Sequence, residues 1–486
     1  MTCQNQDPMT TNTPVLRRRK TRLVLLASAL LTAMPAAADV RLPKIFTDNM
    51  MLQRGLPVRV WGWAEAGETV SVTLAGKAAL TKADDKGEWK VELPAVKAGE
   101  NLDLKVKGKN QLSLKNILVG DLWVCSGQSN MEMSLGQCLG AADDIKAADL
   151  PKIRRIKINR VQVAKPEADA PTAGPWEVCS PATAGGFTAV GFYFAREILQ
   201  KTKVPIGIID SNWGGTRIEP WIAPENPAAD AQLNGGLRGI YNAMIHPIVP
   251  LPIKGALWYQ GESNGEEGDT YYDKMKSLIG GWRKQWKQGD FPFYFVQLAS
   301  FQAVSEDPAG GNGWAKLREA QSKALTLPNT GMAVILDTVP LAERDDIHPK
   351  NKSDVGLRLA RWALARDYGQ KQLEASGPLF KALKIEGNKA RLAFDHVGTG
   401  LMVGKKEGRT PAVEDKQGKL KRFAIAGADK KWFWADAVIV NHTVTLSSPE
   451  VQEPVAVRYA YQMNPDGANL YNREGLPASP FRTDTW

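Results

Sequence analysis

Ser129 stands at the end of an apolar run. Asn116-Ile117-Leu118-Val119-Gly120-Asp121-Leu122-Trp123-Val124-Cys125 reads as a buried strand, and it leads into Ser126-Gly127-Gln128-Ser129-Asn130-Met131. Far downstream, His348 follows two acids in Asp345-Asp346-Ile347-His348-Pro349. A serine hydroxyl is a weak nucleophile until a base takes its proton, and that base needs an acid to fix its tautomer and stabilise the imidazolium. Serine early and acid–histidine late is an order that a serine hydrolase can use, so the leading chemistry is covalent acyl transfer. A serine just past a strand end in an open α/β domain also lies where ligands bind. The plainer alternative is that Gly-Gln-Ser-Asn is only a strand-to-helix turn and that the histidine is structural. Of the 4 histidines, His246 precedes a proline in an apolar loop, and His396 and His442 fall in a later β-rich region. Only His348 has acids beside it within the region that carries the serine. The nucleophile elbow of the α/β-hydrolases is excluded, because Gly-x-Ser-x-Gly would need glycine where Met131 stands.

Two more loops suit an oxyanion hole, which needs donors arranged around a developing alkoxide. Asp210-Ser211-Asn212-Trp213-Gly214-Gly215-Thr216-Arg217 follows an apolar run at 204–209, and its glycines allow a backbone N–H to approach. Trp258-Tyr259-Gln260-Gly261-Glu262-Ser263-Asn264 follows another, at 256–259, and offers side-chain amides. Arg217 and Glu219 are candidates to hold the loop or a ligand, with a plain ion pair as the alternative. Trp213 and Trp258 border these loops and are the tryptophans best placed to stack on a sugar.

The elements around these loops are legible from periodicity. Apolar runs at 117–125, 204–209, 256–259, 293–298 and 332–336 alternate with helical patterns at 191–201, 271–286, 314–325 and 353–368. Strands alternating with helices predict a mostly parallel sheet covered on both faces, a three-layer α/β/α core. Before it, Val70/Val72/Leu74, Trp89/Val91/Leu93 and Leu102/Leu104/Val106 alternate with polar residues and are separated by turns. After it, Leu383/Ile385, Leu392/Phe394, Val444/Leu446 and Val455/Val457/Tyr459 do the same. Period-two alternation of this kind predicts antiparallel β-sandwich domains on both flanks. The expected divisions are 39–115, 116–377 and 378–486.

Residues 1–38 are expected to be a secretory signal peptide. Arg17-Arg18-Arg19-Lys20 and Arg22 form a cationic start, 23–33 is a short apolar stretch, and Ala36-Ala37-Ala38 is a small-residue cleavage site. No apolar run reaches the roughly 18 residues of a membrane span. The implied location is periplasmic or extracellular. The leader takes five bases and one acid from the chain's 62 and 52, which leaves 57 and 51, a net charge of +6. That excess is dispersed, whereas a nucleic-acid surface would cluster it. Cys3 leaves with the leader. Of Cys125, Cys138 and Cys179, the first is read as a small buried apolar residue, and Cys138 with Cys179 as the expected disulfide of an exported protein. No cysteine–histidine spacing suggests a metal site.

Four segments together resemble the sialate O-acetylesterase family of the SGNH (GDSL-like) hydrolases. They are Gly127-Gln128-Ser129-Asn130-Met131, Asn212-Trp213-Gly214-Gly215-Thr216-Arg217-Ile218-Glu219, Trp258-Tyr259-Gln260-Gly261-Glu262-Ser263-Asn264 and Asp346-Ile347-His348-Pro349-Lys350-Asn351-Lys352. The resemblance extends over the mature chain. It implies an SGNH-type core and a carboxylic ester hydrolase with no cofactor, which removes acetyl groups from sialic acid or another acetylated glycan through an acetyl-enzyme. It implies Ser129 as nucleophile and His348 as general base. The implied oxyanion donors are the Ser129 N–H, an N–H at Gly214 or Gly215, and the Gln260 side chain. The superfamily spacing Asp-x-x-His selects Asp345 as the third member, while Asp346 is also typical of the family. The third block departs from the wider superfamily's Gly-x-Asn-Asp. The amide role therefore passes to Gln260 or Asn264, and Glu262 is an anchor or an alternative orienter of His348. An acetylxylan or hemicellulose esterase is the nearest rival. A non-catalytic glycan-binding protein is the remote one, disfavoured because binding needs no intact Ser129, His348 and Asp345. A glycosidase would want two facing carboxylates, which adjacent Asp345 and Asp346 do not provide. The sequence sets no oligomeric state.

Overall fold

The strand expected at 117–125 is longer than its apolar run. It spans Gln111–Gly127 in this computed structural model, which describes residues 39–224 and 239–486. Two patterns share the one strand. Residues 111–116 alternate exposed and half-buried, as pairing with one wet face requires, and 117–127 are buried throughout, as cover on both faces requires. Residues 111–119 pair antiparallel with Gly99–Lys107, with register shifts on the way, and Leu118–Gly120 pair parallel with Met51–Gln53.

The second part is the centre of a parallel sheet. In spatial order its strands are Thr330–Ala333, Phe293–Val296, Gly255–Tyr259, Gln111–Gly127, Ile206–Asn212 and Ile153–Lys157, with Glu177–Val178 antiparallel at the edge. Alternate side chains serve opposite faces. Trp123 and Cys125 pack with helices Ala189–Thr202 and Lys352–Arg366, and Leu122 and Val124 belong to the side holding Gly268–Trp286 and Gly313–Lys323. Polar caps open three of these helices: the side chains of Thr188, Asn312 and Asn351 accept from the backbone N–H of Gly191, Ala315 and Asp354. Each such cap contributes about 1 kcal/mol. The α/β/α core and its flanking β layers match the expected class, and residues 39–486 form one compact unit.

In the N-terminal layer Thr69–Leu74 and Glu88–Leu93 bury the predicted alternate residues. In the C-terminal layers Leu392, Phe394, Val444 and Leu446 are buried as expected, but Ile385 and Val455 are 41% and 44% exposed. Ile385 lies on Leu379–Glu386, a strand paired on one side only and bulged between Phe380 and Ala382. Val455 precedes the strand Ala456–Tyr459, all of whose residues are buried. The expected disulfide is also corrected. Cys125, Cys138 and Cys179 are free buried thiols, and the Cys138 and Cys179 sulfurs face the Ser134 and Ala148 carbonyls at 3.4 and 3.7 Å. The expected leader, 1–38, lies outside the described residues. Among those described, no helix is long and apolar enough to cross a membrane.

Candidate active site

The three loops singled out in the sequence leave neighbouring strands of the parallel sheet at the same end. The long strand stops at Gly127, whose φ of +132° and close approach to Tyr259 admit no side chain: a Cβ there would lie 2.1 Å from the Tyr259 carbonyl oxygen. Gln128 then donates its N–H to that carbonyl at 3.0 Å, and its side-chain oxygen accepts from Ser263 N–H at 3.2 Å. This fixes the turn that starts the short helix Ser129–Glu132.

Ser129 Oγ lies 2.8 Å from His348 Nε2, within the hydrogen-bonding reach that proton transfer between the two would need. The two acids before the histidine part company. Asp346 Oδ1 accepts the His348 backbone N–H at 2.9 Å and lies 3.6 Å from its Nδ1, with both side chains 40% exposed. Asp345 is 79% exposed and faces Arg344 at 3.8 Å. The turn therefore directs the nearer acid, not the one three residues back, towards the imidazole.

The second loop comes close. A Cβ on Gly214 would lie 3.2 Å from Ser129 Cβ, so the glycine rests against the serine. Its N–H donates to Glu132 Oε2 at 2.8 Å, and Arg160 holds the other oxygen of Glu132 at 2.5 Å. Gly215 follows with φ +76°. Trp213 is half-buried and donates its backbone N–H to the Gly127 carbonyl at 3.0 Å. Behind this loop, Lys157 ties Asp210 and Asn212 at 3.2 and 2.6 Å.

Gln260 is fully buried, and its amide is committed elsewhere. It donates to the Thr216 carbonyl at 3.2 Å and to Asn264 Oδ1 at 2.8 Å, and its oxygen accepts from Tyr271 at 2.6 Å. Asn264, 1% exposed, donates to Glu219 and Glu267 and accepts from Ile218 N–H at 3.0 Å. Both amides brace the loop from behind and are not brought to Ser129. Arg217 joins the same brace, 2.9 Å from Glu219 and paired with Glu267, which Lys274 also contacts. Burial would raise the Glu267 carboxyl, but Lys274, Arg217 and Asn264 outweigh it and hold the group down at about 2. Trp258 is corrected from sugar platform to core. It is 1% exposed and packs edge-on against Trp221 and Trp282, at centroid distances of 5.9 and 6.1 Å. Glu262 is partly buried and meets Asn130 at 2.5 Å rather than His348; desolvation pushes its carboxyl up.

Sequence reasoning did not assign a role to Glu132, Arg160, Asn130 or Lys352. Glu132 was detectable as the residue one helical turn beyond Ser129, and Asn130 and Lys352 stand inside quoted motifs. Arg160 comes from the loop after Ile153–Lys157 and gives no local signal. Among the described residues no group of histidine, cysteine and acidic side chains could hold a metal ion.

A family model described as "Carbohydrate esterase, sialic acid-specific acetylesterase" matches residues 119–365. Sialate O-acetylesterase of Pongo abelii is 29% identical over 505 residues, covering 92% of this chain and 93% of its own. The Homo sapiens enzyme of the same name is also 29% identical, with the same coverage of 92% and 93%. Among solved structures, a carbohydrate acetylesterase from Xanthomonas citri is 42% identical with a TM-score of 0.84, covering 92% of this chain and 100% of its own.

Proposed function

The chain belongs to the carbohydrate esterase family of sialic acid-specific acetylesterases, and on that premise we propose that Ser129 and His348 hydrolyse O-acetyl esters of sialic acid. The chain is a carboxylic ester hydrolase of acetylated carbohydrate, as its relatives are. The observation that carries the residue assignment is the 2.8 Å contact between Ser129 Oγ and His348 Nε2. His348 takes the serine proton as Oγ attacks the acetyl carbonyl. The Ser129 N–H and the Gly215 N–H receive the oxyanion, because the Gly214 N–H is already given to Glu132. The imidazolium then protonates the leaving sugar oxygen, and the acetyl group stays on Ser129. Water, deprotonated by the same histidine, releases acetate and restores the serine. Asp346 stabilises the imidazolium.

The cationic and apolar leader supports export of a mature chain starting at Asp39. The reversals in periodicity near 115 and 378 support a catalytic part bounded by two β domains.

The test is acetate release from 9-O-acetylated sialic acid and from acetylated xylan, by the protein and by its Ser129→Ala variant. Removing a serine nucleophile from such a site costs on the order of 10⁴-fold or more. Release from the sialic acid, lost in the variant, is expected. Release from xylan alone would overturn the substrate, and normal turnover by Ser129→Ala would overturn the mechanism.

A further inference from the structure

Two ionisable side chains beside the site, the partly buried Glu262 and the fully buried Lys352, are not used in the reaction. They face opposite ends of one amide, that of Asn130, the residue after Ser129. Asn130 Oδ1 accepts from Lys352 Nζ at 2.5 Å, and Asn130 Nδ2 donates to Glu262 Oε1 at 2.5 Å. Asn130 Nδ2 also donates to the Ile347 carbonyl at 2.9 Å, and Lys352 Nζ donates to the Pro349 carbonyl at 2.7 Å. Ile347 and Pro349 are the two sequence neighbours of His348. The backbone on both sides of the histidine is thus tied to the residue beside the serine.

The side-chain types fit this task. An ammonium has three donors and no acceptor, which suits a cage made of the Asn130 and Pro349 oxygens and the face of Tyr259, whose centroid is 5.3 Å away. Asparagine carries an acceptor at one end for the cation and donors at the other for a carboxylate and a carbonyl. Glu262 balances the buried charge, since an uncompensated ion there would be costly. Burial pushes the Lys352 ammonium down to about 8, while Cys138, Glu262 and Asp346 pull it the other way.

We propose that Lys352 is a positioning residue: with Asn130 it clamps the His348 loop and sets the distance from His348 to Ser129. This rests on the serine–histidine reading above. A misplacement of about 1 Å between reacting groups costs on the order of 10²-fold in rate, and that is the effect expected when the clamp is lost.

The experiment compares three variants with the parent protein: Lys352→Met, which keeps the apolar stem and removes the donors; Lys352→Met with Glu262→Gln, which removes both charges; and Ser129→Ala. Steady-state kcat and KM on 4-nitrophenyl acetate and thermal midpoints are measured for each. In Lys352→Met kcat is expected to fall on the order of 10²-fold with KM within about twofold, because geometry and not binding is lost. In the double variant the midpoint is expected to recover while kcat does not. The double variant also keeps the test decisive if the single one fails to fold. Recovery of kcat together with the midpoint would overturn the clamp, since charge balance alone would then explain the effect; an unchanged kcat in a folded Lys352→Met would overturn it as well. An active Ser129→Ala would instead bring down the serine reading, and so the two failures are distinguishable.

Discussion

Replacing Asp346 by asparagine removes one negative charge that lies 3.6 Å from His348 Nδ1. The asparagine keeps an oxygen able to accept the His348 backbone N–H, as Asp346 does at 2.9 Å, so the turn survives and the charge is isolated. At that separation the attraction to an imidazolium is about 5 kcal/mol with an effective dielectric of about 20, and about 1 kcal/mol in bulk water. Both side chains are 40% exposed, which places the pair towards the screened end, near 2 kcal/mol. In the proposed mechanism the imidazolium forms as Ser129 gives up its proton, so this loss falls on the barrier. It corresponds to roughly 30-fold in kcat/KM. Asp345, 79% exposed and turned to Arg344, is expected to change kcat/KM less than about twofold when replaced by asparagine, because an exposed charge is screened. Initial rates of acetate release at pH 8, with thermal midpoints to confirm folding, decide the matter. If Asp345→Asn loses as much as Asp346→Asn or more, the electrostatic account of the turn is wrong.

Three further outcomes are expected. Burial pushes the Cys138 thiol up to about 11 and the Cys179 thiol to about 12, so the native mature chain should react slowly with a thiol reagent at pH 8. In guanidinium it should release three thiol equivalents, and a single equivalent would reinstate the disulfide. Glu267, held at about 2 against an ordinary 4.5, contributes stability above the unfolded value that is lost as pH falls from 4.5 through about 2. Glu267→Gln should therefore cost up to about 3 kcal/mol in urea unfolding at pH 7, and the gap should close in acid; a gap that stays constant with pH would refute the assignment. Trp258→Ala should destabilise by about 3–5 kcal/mol, as loss of a core tryptophan does. Trp213→Ala, at a half-buried position, should mainly raise KM for acetylated sialic acid, and the reverse ranking in urea unfolding and kinetics would contradict the placement of the two rings.

What periodicity encodes, the sequence made readable. The alternation of Val70, Val72 and Leu74 and the unbroken apolar run before Ser129 report how many faces of a strand are covered, and that property is local. Partner identity is not local. Gln260 stands in a loop that leaves the sheet beside Ser129, yet its amide faces Tyr271 and Asn264, which a linear motif does not reveal. Trp258 follows the same logic: one residue before Tyr259 in a strand of alternating faces, it points into the tryptophan cluster with Trp282. The choice between Asp345 and Asp346 depends on a turn in which the nearer acid bonds the histidine's own N–H, and spacing rules carried over from other members do not see that bond. A disulfide needs two sulfurs directed at each other, and the directions of Cys138 and Cys179 are set by their separate packing. Glu132, Asn130 and Lys352 were visible as residues but not as partners, because their roles exist only when the Ser129 and His348 loops meet.

The strand Gln111–Gly127 has a consequence for how such proteins can be inherited and rearranged. Its two ends take their neighbours from different layers, and between them Asn116 turns to φ +55° where the pairing register shifts. Genetic exchange that joins a new N-terminal module near residue 115 would supply the wrong edge for Leu118–Gly120, which pair with Met51–Gln53, and would unsettle the strand that ends at the serine. The C-terminal layers share no strand with the parallel sheet. Viable recombinants should therefore keep residues 39–127 from a single parent, while crossovers after the helix Lys352–Arg366 should be far more freely accepted. In lineage terms, the front β layer and the strand that leads to Ser129 would travel together.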